Sequence, residues 1–138
     1  MSMNILMDDF MEILIFDHVA LKARVFFENG KVRINTKLDN EAAWKSSIII
    51  AKILSMIAKR CIRDRFFMRD NIVYYVSDNH IIVVISRKIK GRLRLLRIFL
   101  DALDKYLTDS EIIFVDDIVK VLTSFFQKYA SKHLSTWA

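Results

Sequence analysis

The chain has no proline, two glycines, one cysteine and one glutamine in 138 residues, and each shortage removes a class of explanation. Without proline there is no polyproline spacer, and no Gly- or Ser-rich stretch divides the chain, so a single domain is expected. Gly30 and Gly91 stand far apart and cannot together build a phosphate-cradling loop, which disfavours nucleotide hydrolysis and dinucleotide binding. Cys61 alone forms no internal disulfide, and His18, His80 and His133 show no ligand spacing with it or with acidic residues. The expectation is a fold without metal or cofactor, in a reducing, cytoplasmic setting. Long hydrophobic runs are also missing. The longest, Ser46 to Ala58, is broken by Lys52 and falls short of the roughly 20 residues that span a bilayer, so it reads as a core helix and no transmembrane segment is expected. Residues 1–10 carry Asp8 and Asp9 and no basic stretch, so they read as a flexible leader to a domain over 11–138 rather than a secretory signal.

Apolar surface and positive charge are both plentiful. A hydrophobic content of 54% suffices for one core, and a net charge of +6 admits nucleic acid, anionic lipid or an acidic protein surface as partner.

The hydrophobic pattern switches period several times along the chain. Glu12 to Phe16 reads as a short strand, Asp17-His18 as a bend, and Leu21 to Phe27 as a second strand in which Leu21, Ala23, Val25 and Phe27 share a covered face. Asn29-Gly30 tolerates the positive φ of a tight hairpin turn, and Lys31 to Lys37 returns as a third strand with a basic outer face. Asp39 or Asn40 can cap a long helix to about Asp64, with Ile50, Ile53, Leu54, Ile57 and Cys61 in its broad apolar stripe. Lys45, Lys52 and Lys59 share its narrow polar face. Three strands follow: Arg65 to Met68, Ile72 to Val76 and Ile81 to Ser86, the last two joined through Asp78-Asn79. Leu93, Leu96, Leu100, Leu103 and Leu107 mark a second helix, Thr108 to Glu111 matches a capping box for a third, and that third helix keeps its spacing to about Leu134.

The chemistry-bearing residues form no convincing constellation. Cys61 reads as a core thiol, and the three histidines as structural or solvated. Asp116-Asp117 falls near a helix start, where the dipole favours carboxylates without any catalytic role. No enzyme activity is expected. The densest basic run comprises Arg87, Lys88, Lys90, Arg92 and Arg94, with Arg97 one turn on, and forms a candidate patch for an anionic partner. No aromatic residue interleaves with it, which weakens a stacking role on single strands. Phe26, Ile48, Ile49 and Lys52 are candidate partner-interface residues, because Ile48 to Ile50 cannot all face one core and Phe26 lies opposite Val25 and Phe27. A homo- or hetero-oligomer is therefore expected.

The segment Asn71-Ile72-Val73-Tyr74-Tyr75-Val76-Ser77-Asp78-Asn79-His80-Ile81-Ile82-Val83-Val84-Ile85, with Leu100 to Leu107 and Glu111 to Val115, resembles the longin, or SNARE-like, domains of membrane-traffic proteins. That family includes adaptor sigma subunits and the N-terminal domain of the signal-recognition-particle receptor. The resemblance covers Glu12 to Tyr129 and implies an order of two strands, a helix, three strands and two helices. Lys31 to Lys37 is one strand more than this plan contains. The fold class expected is α/β (α+β): about five antiparallel strands flanked by three helices, longin-like or profilin-like. The implied function is a non-enzymatic interaction module for a small GTPase or a longin-like subunit. The alternative is a basic nucleic-acid-binding protein using Arg87 to Arg97, Arg24, Arg33 and the lysine face.

Overall fold

The computed structural model describes residues 11–17, 20–28, 31–36, 48–49, 51–53, 55, 65–69, 72–86, 93–110, 112, 115–129 and 133–137. Within them the order is β1 (Met11–Phe16), β2 (Leu21–Glu28), β3 (Lys31–Asn35), α1 (helical at Ile48, Ile49, Ala51, Lys52, Ile53 and Ser55), β4 (Phe66–Arg69), β5 (Ile72–Val76), β6 (Ile81–Ser86), α2 (Leu93–Asp109), α3 (Val115–Tyr129) and β7 (His133–Trp137). The strands form one sheet in the order β4-β5-β6-β1-β2-β3-β7. Six are antiparallel to their neighbours, and β7 joins β3 in parallel.

Two hairpins follow from local sequence. Glu28 pairs with Lys31 across a two-residue connection, although Asn29 and Gly30 themselves lie outside the described residues. In the second, Val76 pairs with Ile81, and the Ser77 amide donates to the His80 carbonyl at 2.8 Å across the Asp78-Asn79 turn.

Alternation then sorts side chains onto two faces. Ile13, Ile15, Ala23, Val25, Phe27, Val32, Ile34, Val73, Ile82 and Val84 form one buried layer, covered by Leu96, Phe99, Leu100, Leu103 and Leu107 of α2 and by Ile118, Leu122, Phe125 and Phe126 of α3. Rings weld this layer together. Phe126 meets Phe27 edge-on at 5.2 Å and Phe125 at 5.2 Å, and Phe99 lies 5.5 Å from Phe125. On the opposite face Phe16, Leu21, Val76, Ile81 and Val83 close around Ile53 of α1. The sheet thus has one helix on one side and two on the other.

Several expectations need correction. The sheet has seven strands rather than about five. Leu21 leaves the layer of Ala23, Val25 and Phe27, because the β1–β2 register shifts between Ile15 and Phe16, and an odd step in a two-residue period turns a side chain to the other face. Thr108 to Glu111 does not start the third helix: Thr108 and Asp109 are the last residues of α2, and the Ser110 hydroxyl donates back to the Tyr106 carbonyl at 2.7 Å. The third helix begins at Val115 and ends at Tyr129, and Leu134 pairs with Val32 in β7. His133 accordingly sits in a strand. β4 runs one residue later than expected, Phe66 to Arg69. The leader over 1–10, His18, the helix cap at Asp39 or Asn40, Lys45, Ile50, Leu54, Ile57, Lys59, Cys61 and Gly91 lie outside the described residues.

Candidate functional site

Two surfaces concentrate chemistry: the exposed side of α1, and a polar seam where the β5–β6 hairpin meets α2.

On α1, one turn of helix both anchors and presents. Ile53 is 1% exposed against the sheet, whereas Ile48 and Ile49 are each 38% exposed and Lys52 is exposed beside them. Ile48 and Ile49 are adjacent in sequence and together leave a small apolar patch in water, whose burial by a partner would be favourable; Ile98 at 46% and Ile112 at 37% are exposed elsewhere. Phe26 belongs to the same side of the sheet as α1, since it alternates with Val25 and Phe27 of the opposite layer. Its ring is not bare. The Arg24 guanidinium lies 5.0 Å from the ring centroid, and Arg24 is itself held by Glu12, whose Oε1 accepts from Nη2 at 2.7 Å and from Nε at 3.1 Å. Phe26 is half-buried, and its upper side is capped by a cation.

Of the basic patch, Arg94 and Arg97 are exposed on α2, and Arg87, Lys88, Lys90 and Arg92 lie outside the described residues. Arg97 is not a plain solvated charge, because its guanidinium sits 5.5 Å from the Phe66 ring centroid at the β4 edge of the sheet.

The seam is the constellation that sequence reasoning missed. Asp101, Asp104 and Thr108 stand at i, i+3 and i+7 on α2, so they share one face, and that face meets the hairpin. Tyr75 donates its hydroxyl to Asp101 at 2.8 Å. Asp104 Oδ1 accepts from Ser77 Oγ at 2.7 Å and sits 2.8 Å from His80 Nδ1, and Asn79 Nδ2 donates to Thr108 Oγ1 at 3.4 Å. The signal for it was present: acidic residues at helical spacing beside the Leu100, Leu103, Leu107 stripe, and a Ser-Asp-Asn-His turn between two buried strands.

Electrostatics bind the seam together. Burial alone would raise the Asp104 carboxyl, but hydrogen bonds from His80 and Ser77 and the adjacent imidazole outweigh it and hold the group below its ordinary range. Burial, the hydrogen bond to Asp101 and the charges of Asp104 and Asp101 push the Tyr75 phenol well above its ordinary range, against the opposing pull of Arg97, so it stays a neutral donor. Ser, His and Asp meet here, but in the wrong order for nucleophilic catalysis. Ser77 directs its proton to Asp104 while its oxygen accepts the amides of Asn79 at 3.3 Å and His80 at 3.0 Å, which makes it a turn-former. Among the described residues no group of three or more His, Cys, Asp or Glu side chains is arranged to hold a metal, and no helix is long and apolar enough to cross a membrane.

Comparison of the chain with models of known protein families, with curated proteins and with solved structures returns no match.

Proposed function

We propose that this chain is a non-enzymatic protein-interaction module of longin-like type, which engages a small GTPase or a longin-like subunit through the exposed side of α1. The observation that carries the reading is the paired exposure of Ile48 and Ile49 on a helix whose next turn is seated on the sheet through Ile53. A rigidly anchored helix that presents aliphatic side chains beside Lys52 offers an apolar contact with a basic rim, the form of a helix-face docking surface. The element order supports the family reading, with β1, β2, α1, β4, β5, β6, α2 and α3 following the plan of two strands, a helix, three strands and two helices. β3 and β7 are additions to that plan.

The nucleic-acid reading has less support. Arg24 is bound by Glu12 over Phe26 and Arg97 lies over Phe66, so two of its cations have protein partners that a phosphate would have to displace.

The test is binding of the purified chain to small GTPases in both nucleotide states and to longin-like subunits from the same source, alongside an Ile48→Asp/Ile49→Asp variant. The reading expects a complex with at least one of these that the variant loses while its unfolding midpoint stays close to that of the parent. Absence of binding across the panel, or sequence-selective nucleic-acid binding that survives physiological salt, overturns it.

A further inference from the structure

The outer edge of β3 is closed in an unusual way. β3 has the burial of an interior strand, with Val32 and Ile34 fully buried and α3 packed over the same layer. Left open, its edge would present a row of backbone donors and acceptors beside a finished core, the kind of template that draws in another strand. β7 fills that edge over five paired positions, from Lys31↔His133 to Asn35↔Trp137.

β7 is nevertheless an edge strand, held by the sheet on one side only, as β4 is at the other end. It pairs with β3 alone, it makes the sheet's one parallel pairing, and parallel pairing is slightly weaker per residue than antiparallel. Residues 130–132 are all that separate it from α3. The other described sheet edge, β4, stands at the far end of the strand order, six strands away from β7.

We infer that the β3 edge is a strand-addition site which β7 occupies in cis, and that its trans occupant is the β7 segment of a second copy of this chain. A second copy supplies the sequence and register that the edge already accepts, so exchange requires no new recognition. The inference is independent of the longin-like reading, since it concerns β3 and β7 rather than α1.

The test uses the full chain carrying Lys31→Cys and His133→Cys in a Cys61→Ser background, with a fluorescent synthetic peptide of residues 130–138 as probe. Oxidation in dilute solution should link the two positions within one molecule and lock the edge. The reduced chain should take up the peptide, and the locked chain should bind it at least about tenfold more weakly, because the tethered strand cannot leave. A peptide with Leu134→Pro and Ser135→Pro should not bind to either form. On the unsubstituted chain, excess unlabelled peptide should raise hydrogen exchange at 133–137 and leave 11–16 and 81–86 unchanged. Failure of the intramolecular link to form, equal uptake by locked and reduced chains, unchanged exchange at 133–137, or equal uptake of an unrelated peptide of the same length would each overturn the inference.

Discussion

Among the described residues of α1, Ile53 is the one buried against the sheet. Its side chain is 1% exposed and packs among Phe16, Leu21, Val76, Ile81 and Val83, on the sheet face opposite the helix pair. Ile53→Ala removes packing and leaves a cavity, a change that costs about 2–5 kcal/mol for a buried aliphatic side chain. Ile53→Asp loses the same packing and also buries a polar group without a partner, which adds roughly 1–3 kcal/mol even if the new carboxyl takes up a proton. Each kcal/mol lowers the unfolding midpoint of a domain of this size by about 3–5 °C, so the first variant should melt at least about 6 °C below the parent and the second lower still. Lys52, the neighbouring residue, is exposed. Lys52→Glu should stay within about 0.5 kcal/mol, or about 2 °C. Thermal unfolding followed by far-ultraviolet circular dichroism measures all three. If Ile53→Asp and Lys52→Glu gave equal, small shifts, α1 would not be packed on the sheet and the layered architecture would fall with it.

Asp104→Ala should cost about 1–3 kcal/mol in denaturant unfolding, because Ser77 and His80 lose their common acceptor at the hairpin–helix seam. The Asp104 carboxyl is held below its ordinary value of 3.8, so the native state takes up its proton less readily than the unfolded chain. Its contribution should be complete above that value and vanish as pH falls through the lower native one, so the stability gap between parent and Asp104→Asn should shrink on acidification below about pH 4. Phe126→Ala should cost about 3–5 kcal/mol by the same assay, since the ring is fully buried between Phe27 and Phe125. Nucleic-acid binding measured across salt should be weak and indifferent to sequence, because no described helix presents Arg, Asn and Gln together for base edges.

What the sequence disclosed and what it hid divide along local and non-local lines. The β2–β3 and β5–β6 hairpins were readable because their information is contiguous: Lys31 needs only to pair with Glu28, and Ile81 with Val76. The stripe Leu93, Leu96, Leu100, Leu103, Leu107 was readable for the same reason: the last four are buried, and Leu93 packs partly buried against the same core. β7 was not. Its partner lies about a hundred residues earlier, and the free edge that draws it in exists only after β1, β2 and β3 have assembled. The apolar spacing of α3 also runs on to Leu134, and neither proline nor glycine interrupts it. The seam was hidden in another way, since Asp101 and Asp104 read as an ordinary solvated helix face until the hairpin lies beside them.

The shortage of glycine and proline explains how this chain ends its elements, and why their boundaries are hard to read. Glycine and proline usually mark turns because they are intrinsically suited to them, so their positions alone reveal where a strand or helix stops. Here side chains do that work. Asp17 Oδ1 accepts the Ala20 amide at 2.8 Å to close the bend between β1 and β2, while the Asp17 amide donates to the Ala20 carbonyl at 3.1 Å. Ser77 Oγ gathers the amides of Asn79 and His80 in the central hairpin, and Ser110 returns a hydrogen bond to the last turn of α2. Asp and Ser occur as readily on solvated faces as in turns, so only their contacts reveal which role each has. The misread Thr108 to Glu111 box follows from this: the residues that form an N-terminal cap elsewhere here include the end of α2, and Ser110 reaches back to a carbonyl where a cap would reach forward to an amide. Ser77 has a second consequence for the molecule. Because the same hydroxyl that closes the hairpin donates to Asp104, the turn and the helix–sheet contact are one hydrogen-bonded unit, and Ser77→Ala should loosen both together. A hydrogen-exchange comparison in which the variant's gain was confined to 77–80, with 101–108 unchanged, would show instead that turn and seam are independent.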